Sequence, residues 1–85
     1  MSPAEALAEI RRAAIARRVR FSPHARQRMN QRFVRPPDVY CALESATACM
    51  ATEQERWKVA GPDRDGDELT MVVKIEGDVV VITVF

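Results

Sequence analysis

Up to about residue 46 the apolar side chains recur every three or four positions, and beyond it they alternate. One chain of 85 residues therefore has to fold as a helical front half and a sheet-forming back half. With room for a single core, the two halves must pack on each other. The expected fold is α+β, with two to three N-terminal helices on one face of a three- to four-stranded antiparallel β-meander, all in one domain spanning residues 1–85.

Local signals place the elements. Ser2 and Pro3 ahead of Glu5 supply a capping hydroxyl, a proline at the first helical position and an acid in the first turn. A first helix is expected to run to about Arg18, with Ala6, Leu7, Ile10, Ala13, Ala14 and Ile15 as a narrow apolar stripe. Val19 to Phe21 reads as a short extended link. Ser22 and Pro23 repeat the start signal, so a second helix is expected from Pro23 to about Arg32, with Met29 and Phe33 turned to the core. Pro36 and Pro37 force an extended connection, and a third helix starts near Pro37 and Asp38 and runs to about Ser45, burying Val39, Ala42 and Leu43. The helical part is thus 20–46. The meander, 47–85, takes strands from Ala48 to Thr52, Glu55 to Ala60, Leu69 to Glu76 and Asp78 to Phe85. A loop from Gly61 to Asp67 centres on Asp65 and Gly66, and a turn falls at Gly77. Val79 to Phe85 is apolar on both faces, which marks a strand inside the sheet.

A net charge of +1 hides a division between the halves. Residues 1–35 carry nine arginines against Glu5 and Glu9, a net +7, whereas residues 36–85 carry four bases against ten acids, a net −6. The basic half is all arginine, whose planar fork suits phosphate and carboxylate. Such a half either faces nucleic acid or an acidic protein, or partly neutralises its own sheet half. No apolar run reaches the roughly 20 residues of a membrane helix. Glu5 and Glu9 interrupt what would have to be the apolar core of a signal peptide, so a cytoplasmic location is expected and no membrane partner. Two cysteines, Cys41 and Cys49, and one histidine, His24, cannot supply a four-ligand zinc site of the usual Cys/His type within one chain. No metal or other cofactor is expected, and the thiols are expected reduced.

The residues that carry chemistry gather on the second helix. His24, Arg28 and Arg32 are spaced four apart, and Arg35 follows just past the helix end. An imidazole flanked by fixed cations suits phosphoester cleavage in RNA. That reaction needs a base for the 2′-hydroxyl proton, an acid for the leaving oxygen and cations for the charge on phosphorus. His24 would take the first or second role, and Arg28 and Arg32 the third. Arg26, Arg35, Tyr40, Trp57 and Lys58 are candidates for binding RNA or a partner, with Trp57 as a stacking surface flanked by Arg56 and Lys58. The plainer alternatives are a His24 bonded within the helix-to-sheet junction and a Trp57 that anchors the core.

The segments Phe21 to Met29, Arg32 to Val34, Asp38 and Val39, Trp57 to Gly61 and Val80 to Val84 together resemble a bacterial family known as domain of unknown function 4258. The most specific part is His-Ala-x-x-Arg-Met-x-x-Arg, matched by His24, Arg28, Met29 and Arg32. The resemblance covers about residues 20 to 85 and leaves the first helix, 1–18, as an addition. In its helix-then-meander layout the family is similar to the compact ribonuclease toxins of toxin–antitoxin pairs. The resemblance implies an RNA-cleaving or translation-blocking activity and a cognate antitoxin as partner. The rival expectation is a non-enzymatic module that docks an acidic partner or nucleic acid through its arginines, or pairs with a second copy through a sheet edge.

Overall fold

The computed structural model describes residues 1–85. Three proline-started helices come first: α1 (Pro3–Ile15), α2 (Pro23–Gln31) and α3 (Pro36–Glu44). Ser2 accepts from the Glu5 N–H while its own N–H donates to the Glu5 carboxylate, a reciprocal cap that fixes the start of α1. Ser22 Oγ accepts from Ala25 N at 3.0 Å and starts α2 in the same way. At α3 the capping group is Asp38, which accepts from the Arg35 N–H.

Five strands follow or intervene: β1 (Val19–Phe21), β2 (Ala48–Ala51), β3 (Trp57–Pro62), β4 (Glu68–Glu76) and β5 (Asp78–Val84). They form one mixed sheet in the order β1-β5-β4-β3-β2. Two expectations are corrected here. The sheet has five strands rather than three or four, and it is not wholly antiparallel, because Val19 to Phe21 is a strand lying parallel to Val79 to Val81. The remaining strands form the antiparallel meander, and β5 lies inside the sheet as its two-sided apolarity requires. A register slip between Val72 and Val73 leaves Ile82 as a bulge in β5.

Alternation along the strands turns Val59, Leu69, Met71, Val73, Val79, Val81 and Val84 to one face. There they join Ala13, Ala14, Ile10, Ala25, Met29, Val39, Ala42 and Leu43 from the helices in a single core. The first helix is integral to that core, since Ala6, Ile10, Ala13 and Ala14 are buried. No helix covers the other sheet face, which carries Met50, Lys58, Thr70, Val72 and Lys74. No helix is long and apolar enough to cross a membrane.

Gly61 belongs to β3 and not to the following loop. A Cβ there would fall inside van der Waals contact of Ala42 O and 2.9 Å from Ala46 Cα, so the last turn of α3 rests directly on the β3 backbone. The loop itself is closed by Asp63, whose Oδ1 accepts from Asp65 N and Asp67 N at 2.9 Å each; its carboxylate serves the turn.

The β2–β3 connection turns at residues 53–56, where Arg56 N donates to Glu53 O and Gln54 (φ 61°) and Glu55 (φ 58°) both occupy the left-handed region. Two successive residues of this kind make a hairpin turn suited to Asn-Gly. Replacing them together, Gln54→Asn with Glu55→Gly, is expected to raise stability by about 1 kcal/mol in urea unfolding, with the slope unchanged.

Phe33 is the clearest departure from the expected core. Helix α2 ends at Gln31, and Val34 N donates to Met29 O at 2.9 Å while Phe33 N donates to Asn30 O. This closure places Phe33 at φ 56°, where glycine is the usual occupant, and turns its side chain outward to 91% exposure. Holding a phenylalanine there costs roughly 1 kcal/mol relative to glycine. Met29 is buried as expected.

Candidate nucleic-acid interface

Helix α2 is fixed to the sheet at its first turn. Ser22 N donates to Val81 O at 3.0 Å, and Ser22 Oγ donates to Ile82 O at 2.8 Å. Ala25 and Met29 face the core, so the helix presents two separate flanks. His24 and Arg28, one turn apart, lie on one; Arg26 and Asn30, one turn apart, lie on the other.

On the first flank His24 is exposed and its imidazole makes no hydrogen bond or ion pair with the rest of the chain. Arg28 is half-buried and donates from Nε to Val84 O at 3.3 Å. Because β1 stops opposite Val81, the last residues of β5 have no strand beside them on that edge, and Ser22 and Arg28 serve their carbonyls instead. Arg28 thus has a structural anchor at Nε, and no carboxylate pairs with its guanidinium. Arg32 caps the end of α2 and is exposed. Arg28→Lys keeps the charge but loses the Nε–H, and is expected to cost about 1 kcal/mol, read as a melting temperature about 4–8 °C lower.

The second flank opens onto a groove of about 720 Å³ between the end of α2 and the start of α3, lined by Arg26, Asn30, Phe33, Arg35, Pro37 and Arg64 among others. Arg64 reaches it from the β3–β4 loop and donates from Nε to Asp38 Oδ1 at 3.1 Å. Arg26 lies over the Phe21 ring at 5.6 Å, Phe21 meets Tyr40 edge-on at 6.5 Å, and Arg17 lies over Tyr40 at 4.6 Å. A pair of rings with a cation at each end therefore runs from the end of α1 to the groove.

The residues singled out in the sequence are thus not gathered in one place. His24 and Arg28 share one flank. Arg26 and Arg35 share the groove, and Tyr40 stands in the row that leads to it. Trp57 is half-buried against the core, paired across the strands with Ala51 and Val73. Lys58 is on the opposite sheet face, 5.5 Å from the Phe85 ring. Sequence reasoning missed Asn30, Phe33 and Arg64 as groove residues. Only the loop fold brings Arg64 there, and no local signal announces it.

The ion pairs sort the arginines. Arg12 pairs with Glu9, Arg17 with Glu44, Arg20 with Glu76 and Asp78, and Arg64 with Asp38, while Arg11 and Arg18 donate to Ala46 O and Gly77 O. Arg26, Arg28, Arg32 and Arg35 face no carboxylate in an ion pair. All four belong to α2 or its exit, the largest group among the seven arginines without a carboxylate partner, the others being Arg11, Arg18 and Arg56.

The Arg64 guanidinium first, and the Arg35 backbone N–H second, hold the Asp38 carboxyl below the ordinary carboxylate range. The Lys74 ammonium does the same for Glu76, and the Ser2 backbone and hydroxyl for Glu5. A folded value below the unfolded one means that the unfolded chain binds more protons in acid, so this stabilisation is present above about pH 4.5 and is lost as pH falls through the folded values. Melting temperature is expected to drop between about pH 5 and pH 3, and to drop less steeply in Asp38→Asn, as followed by circular dichroism.

Residues 21–85 match the family described as "Domain of unknown function (DUF4258)", and the chain belongs to that family. Helix α1 lies outside the matched residues. No curated protein and no solved structure matches the chain.

Proposed function

We propose, with membership of this family as the premise, that the chain is a toxin-like, metal-independent endoribonuclease that works from helix α2. The observation that carries the reading is the concentration of unpaired charge. Four of the seven arginines without a carboxylate partner flank α2 or its exit, and the one imidazole of the chain stands exposed and unbonded beside them.

In the reaction, the RNA backbone crosses the exposed side of α2. His24 acts as general base for the 2′-hydroxyl or general acid for the departing 5′-oxygen. The 2′-oxygen loses its proton and forms a bond to phosphorus as the P–O5′ bond breaks and O5′ gains a proton, one proton exchanged with His24 and the other with solvent water, leaving a 2′,3′-cyclic phosphate on one fragment and a 5′-hydroxyl on the other. Arg28 and Arg32 neutralise the charge that builds on the phosphoryl oxygens, and the Nε bond of Arg28 to Val84 O holds its fork in place. The resemblance of the helix-then-meander layout to compact ribonuclease toxins agrees with this reading, although a fold hosts many functions.

The test is incubation of the purified chain with single-stranded RNA in excess chelator, resolved by gel electrophoresis. Discrete cleavage products are expected.

A second reading is favoured by one observation: the groove of Arg26 and Arg35 lies on the flank of α2 opposite His24. A non-enzymatic module would bind a polyanion or an acidic protein there with no turnover. Binding without cleavage in the same assay would select it.

A further inference from the structure

We infer that Phe33 and the groove beside it form a nucleotide subsite for single-stranded RNA, with an unpaired base stacked on the Phe33 ring and the adjoining phosphates on Arg26 and Arg35. This deepens the RNA reading above and rests on it.

The starting point is a side chain that folding does not explain. Phe33 occupies the left-handed position that closes α2, where glycine would complete the same pair of hydrogen bonds with less strain. Its ring is 91% exposed and so contributes almost nothing to the core. A strained, solvent-facing aromatic next to a charged groove points to a ligand that uses the ring.

The neighbours define the ligand's chemistry. Arg26 and Arg35 bring net positive charge, because no carboxylate pairs with either. Arg64 forms a neutral pair with Asp38 and contributes donors to the groove without net charge. Asn30 adds an amide able to bond a base edge, and Pro37 an apolar wall. An aromatic face with cations alongside is the arrangement that holds single strands, since every base has a face to stack and every linkage a charge. A duplex keeps its bases stacked inside and offers the ring nothing. An acidic peptide would satisfy the arginines but has no use for the ring.

The site also explains why charged and catalytic groups lie on two flanks of one helix. A strand whose base is gripped at the end of α2 passes over the exposed surface of the helix toward His24.

The experiment measures fluorescence anisotropy with a labelled single-stranded 2′-O-methyl oligonucleotide of mixed sequence, which lacks the 2′-hydroxyl needed for cleavage. Phe33→Gly is expected to weaken binding by about tenfold or more, within the range of one lost base stack. The same variant is expected to melt about 4–8 °C higher than the wild type, because glycine relieves the left-handed strain. Phe33→Trp is expected to retain binding. Equal affinity of wild type and Phe33→Gly would overturn the subsite. So would a lower melting temperature, which would assign the ring to the fold, or equal affinity for the same sequence as a duplex. Binding of polyglutamate in place of the oligonucleotide would give the groove to an acidic protein and also overturn it. The probe cannot be cut, so its binding is independent of the chemistry. Absence of cleavage of an unmodified RNA that binds normally would strike the proposed reaction instead.

Discussion

His24→Ala is expected to lower the rate of RNA cleavage at saturating substrate by at least about 100-fold, the usual contribution of a single general acid or base. Its affinity for an uncleavable oligonucleotide is expected to stay within about threefold of the wild type, because phosphate attraction comes from the arginines. The fold should not register the change. His24 is exposed in the first turn of α2, its imidazole bonds to nothing in the chain, and its truncation leaves the Ser22 cap and the Ser22 bonds to β5 untouched. Retained melting temperature with lost turnover separates a chemical role from a structural one. Arg28 cannot be tested so cleanly, since truncating it removes both a cation and the bond to Val84 O. A cleavage rate unchanged in His24→Ala would remove the imidazole from the mechanism and leave the arginines as a binding surface only.

The largest effect on stability is expected at Gly61. Gly61→Ala would drive a methyl group into the backbone of α3 at Ala42 O and, just past the helix end, at Ala46 Cα, and neither neighbour is a flexible side-chain end that can swing away. Both Ala42 and Ala46 are themselves fully buried, so α3 can yield only by lifting off β3 and opening the core around Val59 and Leu43. The expected loss is about 3 kcal/mol or more, at the upper end of overpacking costs. A domain of this length has only about 4–13 kcal/mol in total. Thermal or urea unfolding would show a midpoint far below the wild type, or no folded protein. Gly77→Ala is the control. Gly77 has φ 78° with nothing within 4 Å of an added Cβ, so only backbone strain of about 1 kcal/mol is expected there. Equal costs at the two glycines would contradict the close approach of α3 to β3.

The contrast between these glycines shows which parts of the fold were legible in the chain. Gly77 sits between two apolar runs and reads as a turn without further information. Gly61 also looks like turn punctuation, beside Pro62, and only the packing of a helix 15 or more residues earlier reveals it as part of a strand. The helix starts were written locally, in Ser2-Pro3, Ser22-Pro23 and Pro36-Pro37, and each was found within a residue or two. Strand β1 was not, because three residues carry no period and its partners, Val79 to Val81, lie about sixty positions away. Phe33 misled for a similar reason. Helical spacing places it over Met29, but the helix ends two residues earlier and the closing turn reverses the direction of the side chain. The charge division between halves was visible, yet its meaning was not. Part of it is internal, as in Arg20 with Glu76 and Asp78, and only the fold separates such pairs from the arginines left without a carboxylate, four of which lie on α2 or its exit.

Mass spectrometry of the fragments left when the purified chain acts on a short single-stranded RNA in excess chelator puts the account to its most direct trial. Fragments ending in 2′,3′-cyclic phosphate, paired with fragments beginning in 5′-hydroxyl, are the result expected of an imidazole and guanidinium groups working without metal. Intact RNA, or fragments bearing 5′-phosphate, would contradict it.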